Sequence, residues 1–246
     1  MAIALVHEAS ASAAGSVTTL TVTVPSTTAG NCLVVVSWIE TVSSGSLSSV
    51  KLGGAAGNFA ILTGAGTSSL VEGRAEIWAD PNCAGGQTSV VLTNSTASAG
   101  SGWGAYVYEF SGIAASSPLD KSAGAVSVAV ATPWSSGATA ATALASELWV
   151  GVAGCNTSGG FTSMTGPSSP WVNETFISLA GGSAGIISGY QIAAATGAAT
   201  YNGTAVVSGG DAFAAVVATL KGAVQPAAVF PYQSNKQQAV MTSALW

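Results

Sequence analysis

Charge is what this sequence has least of. Only 6% of its 246 residues are Asp, Glu, Lys or Arg, against about 25% in an ordinary soluble domain. The basic residues, Lys51, Arg74, Lys121, Lys221 and Lys236, are scattered singly. Nucleic-acid binding draws on clustered Lys and Arg to neutralise phosphates, so no nucleic-acid partner is expected. Long-range steering is weak for the same reason. There is one histidine, His7, and there are three cysteines, Cys32, Cys83 and Cys155, with no CxxC spacing. That argues against a disulfide framework and against a zinc site, while a single disulfide stays open. Phosphate-cradling and dinucleotide-binding glycine motifs are missing, and no cofactor or metal is expected. No run approaches 18 apolar residues, so no membrane-spanning helix is expected. The opening MAIALVHEAS has no basic region, and its apolar run is short for a signal peptide. The expectation is a chain made in the cytoplasm that stays soluble until it assembles.

What is present is apolar and small. Hydrophobic residues make up 48% of the chain, enough for a substantial core, and they argue against disorder. With so few charges, the surface must be mainly hydroxyl, amide and small apolar groups. Such a surface suits a dense assembly, or one facing salt or sugars.

The clearest strand signal is Ser101 to Gly112, SGWGAYVYEFSG. Strand side chains alternate with period two. Trp103, Ala105 and Val107 therefore share one face and Tyr106, Tyr108 and Phe110 the other, which predicts a central strand covered on both sides. Asn31 to Glu40, NCLVVVSWIE, is a near-continuous apolar run and predicts another. Ile3–Glu8, Ser16–Val24, Val50–Leu52, Phe59–Thr63, Arg74–Ala79 and Ser89–Thr93 complete a jelly-roll-sized set, separated by Gly, Pro, Asn and Ser turns.

The pattern then returns. DAFAAVVATLKG, Asp211 to Gly222, aligns with the Ser101 stretch 110 positions earlier: Trp103 with Phe213, Ala105 with Ala215, Val107 with Val217, Phe110 with Leu220. SELWVGVAG from Ser146 echoes NCLVVVSWI, with Leu148 placed opposite Leu33. The expected fold is all-β: two tandem jelly-roll-like β-sandwiches from an internal duplication, residues 1–120 and 121–223, with one continuous sandwich as the alternative. Thr139 to Ala145 matches one of the early strands, and no long helix is expected, although the alanines of the poorly capped Ala138 to Leu148 could support a helical turn or two. Residues 224–246 have no alternation and read as an extended arm. Its apolar ends, Val229, Phe230, Tyr232 and Val240, Met241, Leu245, Trp246, are costly to leave in water. The arm either docks on a neighbouring subunit or folds back on its own domain.

Catalytic candidates are sparse. GGSAG, Gly181 to Gly185, matches GxSxG around Ser183, but the flanks are not the strand-turn-helix that a nucleophile elbow needs. Carboxylates at Glu40, Glu72, Glu76, Asp80, Glu109, Asp120, Glu147, Glu174 and Asp211 are not paired in sequence, although Glu76 and Glu109 could face a groove. Asp80 and Asn82 have oxygen ligands at calcium-loop spacing, without further acids nearby. Four sequons, at Asn94, Asn156, Asn173 and Asn202, are read as chance. Of seven tryptophans, Trp134, Trp149 and Trp171 are the candidates for stacking on sugar rings, with core packing as the alternative for each.

The runs GNCLVVVSW, EIWADPNCAGGQTSVVLT, YEFSGI, SPLD, SELWVGVAG and AFAAVVATLKG, spanning roughly residues 17–222, resemble a β-sandwich module of phage structural proteins and some bacterial surface proteins. The resemblance implies a virion or surface role and carries no catalytic residue. The expectation is a non-enzymatic phage virion protein, most of all a capsid decoration protein. It would contact the major capsid protein or other virion subunits, form a homo-oligomer and use the arm. A glycan-binding or adhesion module is the second expectation.

Overall fold

The structure, a computed structural model, describes residues 2–40, 45–66, 73–95, 102–127, 133–157, 161–179, 182–207 and 211–223. The first half contains β1 (Ala4–Ala13), β2 (Thr19–Thr23), β3 (Cys32–Ile39), β4 (Leu47–Leu52), β5 (Ala55–Ala56), β6 (Ala60–Gly66), β7 (Arg74–Asp80), β8 (Ser89–Asn94) and β9 (Trp103–Ser111). The second half contains β10 (Leu119–Ser127), β11 (Trp134–Ala141), β12 (Glu147–Thr157), β13 (Phe161–Thr165), β14 (Val172–Asn173), β15 (Ile177–Leu179), β16 (Ala184–Ala193), β17 (Ala198–Val207) and β18 (Asp211–Lys221). No α-helix occurs among the described residues.

Each half is a pair of antiparallel sheets. In the first, β1-β9-β3-β7-β6 faces β2-β8-β4-β5. In the second, β10-β18-β12-β16-β14, with β15 also on β16, faces β11-β17-β13. Most successive strands cross between the two sheets, whereas β4–β5, β6–β7 and β14–β15–β16 stay within one, and the order 1-9-3-7 in the first half recurs as 10-18-12-16 in the second. The halves meet in the connection between Ser111 and Leu119, so the expected boundary at residue 120 falls just inside β10.

The sheets stack in four layers with three cores. Val35, Val107, Trp103 and Ala105 face Val22, Val50, Val90 and Leu92 in the first outer core. Ala153, Ile187, Ala215 and Val217 face Trp134, Tyr201 and Met164 in the second. Between the halves lies a third core, where Val34, Val36, Trp38, Tyr106, Tyr108 and Phe110 meet Leu148, Val150, Val152, Ile186, Val216 and Leu220. The larger sheet of each half is therefore covered on both faces. That is why all of β3 is buried, and why β9 is buried up to Phe110. The alternation read in Ser101–Gly112 assigns its two faces correctly: the Trp103 set points to an outer core and the Tyr106 set to the central one.

In the central core β3 packs on β12, β9 on β16 and β7 on β18, while edge β1 lies against β15 and edge β6 against β10. A half-turn about an axis along the strands would interchange these pairs. Both halves thus point the same way. Ile39 pairs with Trp103 and Arg74 at one end, and Asn156, late in β12, donates from Nδ2 to Glu40 Oε1 at 2.8 Å there. The opposite end holds the chain's other junctions. Ala114 N–H donates to Lys221 O at 3.0 Å, and Ala223 N–H to Gly112 O at 2.7 Å.

Three expectations change. Ala138 and Ala141 continue β11, paired with Thr200 and Ala198, so strand pairing overrides the helical preference of alanine. Leu148 does not occupy the place of Leu33: Leu33 pairs with Glu109 and Trp149 with Thr219, 110 positions on, so Trp149 is the counterpart. A one-residue slip reverses faces, and Leu33 indeed lies in an outer core while Leu148 lies in the central one. Finally, β1 runs to Ala13, beyond the expected Glu8. The arm, with Val229, Phe230, Tyr232, Val240, Met241, Leu245 and Trp246, lies outside the described residues.

Candidate functional site

A β-bulge builds the most distinctive polar site. In β1 the register slips between Leu5 and His7, so Leu5 packs on the central core while His7 turns to the other face, opposite Glu109. Bulges re-aim side chains in this way. Beyond it, Glu8 pairs with Tyr108 and Ser10 with Tyr106, which places both on the face toward the second half. From that half comes Glu174, between β14 and β15, held by its own N–H to Ser188 O at 2.9 Å. Glu8, Ala9, Ser10, Tyr106, Glu174 and Thr175 line a cavity of about 230 Å³ along the β1–β15 seam.

The tyrosines below it are pinned. Tyr106 Oη donates to Thr175 O at 2.8 Å, joining the two halves. Tyr108 Oη bonds Ser188 Oγ at 2.8 Å, and Ser188 Oγ donates to Gly151 O at 2.9 Å. Burial raises both phenols, so they stay protonated as donors. Burial also raises the Glu174 carboxyl, and the neighbouring Glu8 carboxylate adds charge repulsion and a hydrogen bond, so that Glu174 is pushed up to about 7 against a weaker opposing bond from Tyr108.

Other ionisable groups serve the fold. Glu76 and Glu109 are fully buried and line no groove. Glu109 Oε1 accepts from Thr28 N–H at 3.0 Å and from Asn31 Nδ2, and its Oε2 is 2.6 Å from His7 Nε2. Glu76 accepts from Arg74, from Trp78 Nε1 at 2.9 Å and from Leu47 N–H at 3.2 Å. Asp80 accepts the N–H groups of Asn58 and Asn82, bracing the turn where calcium-loop spacing was noted. No group of three or more His, Cys, Asp or Glu suited to a metal occurs among the described residues. Asp120 and Glu147 accept the N–H groups of Ala143 and Leu144, with Lys121 at 3.0 Å from Asp120.

All three cysteines are buried free thiols. Burial, with nearby carboxylates, raises Cys32 and pushes Cys83 up to about 11, so neither is a ready nucleophile. Ser183 immediately precedes β16, and no helix follows it. Of the sequon asparagines, Asn94 is buried, and Asn173 has both amide ends engaged, by Pro167 O and Tyr201 Oη.

The three candidate stacking tryptophans converge in the second outer core. Trp134 is 2% exposed and Trp149 9% exposed, so their faces are taken by protein. Trp134 packs on Tyr201 at 5.2 Å, Trp171 on Tyr201 at 5.0 Å and on Trp149 at 6.5 Å between ring centres. Only Trp171 of the three keeps a half-buried ring. Trp149 does face away from Leu148, Val150 and Val152, as alternation requires. Glu8 is absent from the carboxylates singled out in the sequence. Its signal was the alternation of β1, but its partner lies 166 positions away.

No family model, no curated protein and no solved structure matches the chain.

Proposed function

We propose that the chain is a non-enzymatic structural protein of a phage particle, a capsid decoration protein that arose by duplication of one jelly-roll unit. The observation carrying this reading is the polarity of the molecule. The link between the halves, the start of β1 and the last described residue, Ala223, gather at one end. Connections rich in Ser, Gly and Ala leave the strands at the other: β1–β2, β3–β4, β6–β7 and β8–β9, with β10–β11, β12–β13, β15–β16 and β17–β18 from the second half. A segment following Ala223 with large apolar residues is suited to hold the body on a lattice of capsid subunits, or on another copy of this chain. The charge-poor composition supports the same reading.

Deleting residues 225–246 is expected to abolish binding to particles that lack the protein while leaving the thermal unfolding of the body unchanged. Undiminished occupancy of the truncated chain on particles would overturn the proposal. Sedimentation of both forms tests whether the same segment drives self-association.

The glycan reading retains one specific support, the half-buried Trp171 ring braced by Trp149 and Tyr201. On a glycan array it requires saturable binding that Trp171→Ala removes.

A further inference from the structure

We infer that the β1–β15 seam is a proton-controlled latch between the two sandwiches: it is closed while Glu174 keeps its proton in the cavity it lines with Glu8, and loss of that proton loosens β1 from the β14–β15 segment. This goes beyond the particle role and does not depend on it.

The first support is that the latch exists on only one of two equivalent seams. Strand register gives the counterparts. Ser10 pairs with Tyr106, and Gly124 with Val216, 110 positions later. Glu8 pairs with Tyr108, and Ser122 with Ala218. Asn173 pairs with Gly189 and Ile61 with Trp78, at matching places in the sheets, so Leu62 stands where Glu174 does. The β1–β15 seam thus has Glu8, Ser10, Tyr106, Tyr108 and Glu174, where the β6–β10 seam has Ser122, Gly124, Val216, Ala218 and Leu62. The second set closes by close packing: a Cβ on Gly124 would come within 3.0 Å of the Ala65 methyl. The first leaves a cavity and fills its wall with two acids.

The second support is electrostatic isolation. The groups acting on Glu174 are Glu8 from β1 and Tyr108 from β9, and the Tyr106, Tyr190 and Tyr201 phenols from β9, β16 and β17 feel its charge in turn. No basic side chain is among them. Glu174 is half-buried and Glu8 exposed, so when Glu174 ionises the larger cost is its burial, with repulsion from Glu8 second, and separating the strands into water relieves both.

The sign follows from linkage. A carboxyl raised in the closed state binds its proton more tightly there than in the open state. Closure is therefore favoured at low pH, weakens as pH rises from the ordinary carboxyl range toward about 7, and changes no further above it. If opening restores the ordinary value of 4.5, the opening equilibrium rises about tenfold between pH 6 and pH 8.5.

Amide hydrogen exchange on the full chain, corrected for the intrinsic pH dependence of exchange, reads this directly. Protection of β1 and of residues 173–179 should fall about tenfold from pH 6 to pH 8.5, while β6 and β10 at the sister seam stay unchanged. Glu174→Gln, which keeps shape and hydrogen bonding without the charge, should hold the seam protected at both pH values. Glu8→Gln should move the fall to lower pH. Equal protection of the wild-type seam at both pH values, a fall of the same size at the sister seam, or a pH response that persists in Glu174→Gln would each overturn the latch.

Discussion

Trp38→Ala is expected to destabilise the protein by about 3–5 kcal/mol, and Gly154→Ala by about 3 kcal/mol. The two residues are counterparts in the halves. Trp38 pairs with Gly104 in β9 and Gly154 with Ala214 in β18, 110 positions on, and they meet where β3 crosses β12. A Cβ on Gly154 would lie 1.9 Å from Trp38 Cγ, near the root of the side chain, where rotation offers little escape. The far side of the ring is closed too, because a Cβ on Gly73 would come within 2.4 Å of Trp38 Cζ2. The indole is therefore clamped between two backbones. Removing it leaves a void, and adding a methyl to Gly154 forces β12 away from β3. Urea unfolding of both variants measures the losses. The double variant Gly154→Ala with Trp38→Leu should lose less than the sum of the separate changes, because the smaller side chain makes room for the methyl. A Gly154→Ala protein with the wild-type midpoint would show that the halves are not this close.

Glu109→Ala should cost about 2–3 kcal/mol, because it empties a fully buried site and removes the acceptor of two part-buried hydrogen bonds. Two donors reach this carboxylate, Thr28 N–H and Asn31 Nδ2 from the turn before β3, and His7 Nε2 from the β1 bulge lies 2.6 Å from its Oε2. Without it the turn and the bulge lose their common anchor, and the part-buried donors of the turn lose their acceptor. Glu109→Gln should cost less, since an amide oxygen still accepts one of the bonds. His7→Ala should cost least, because the imidazole lies at the rim and is partly exposed. Thermal melts of the three variants should give that order. A Glu109→Ala protein as stable as Glu109→Gln would mean the carboxylate is not the anchor.

Much of the fold was legible where one rule decides. Alternation in Trp103–Phe110 identified both faces of β9, and the unbroken apolar run of Cys32–Ile39 marked a strand covered twice. Periodicity does not say which sheet covers a face. The Tyr106–Phe110 face could have met a sheet of its own half, and only the fold shows it meeting the other. Register was beyond reach for a related reason: Leu148 opposite Leu33 is a better match of letters than Trp149 opposite Leu33, yet the hydrogen-bond ladder selects the latter. The aromatic cluster of Trp134, Trp149 and Trp171 was found as residues but not as a packed group, since solvent exposure is decided by the third layer. The Glu8–Glu174 pair depended on a bulge that turns Glu8 toward a strand from the other half, and nothing local records that.

The central core also alters how the protein answers dilution. Two separate jelly rolls meeting through the same faces would part as their concentration fell, because association of free subunits obeys mass action. Here the connection from Gly112 to Pro118 makes the encounter intramolecular, at an effective concentration set by the length of that connection. The pairing of the sandwiches is thus independent of how much protein is present. It is also free of the rule that both partners carry the same residue, which is what permits tryptophan on one side of the axis and glycine on the other.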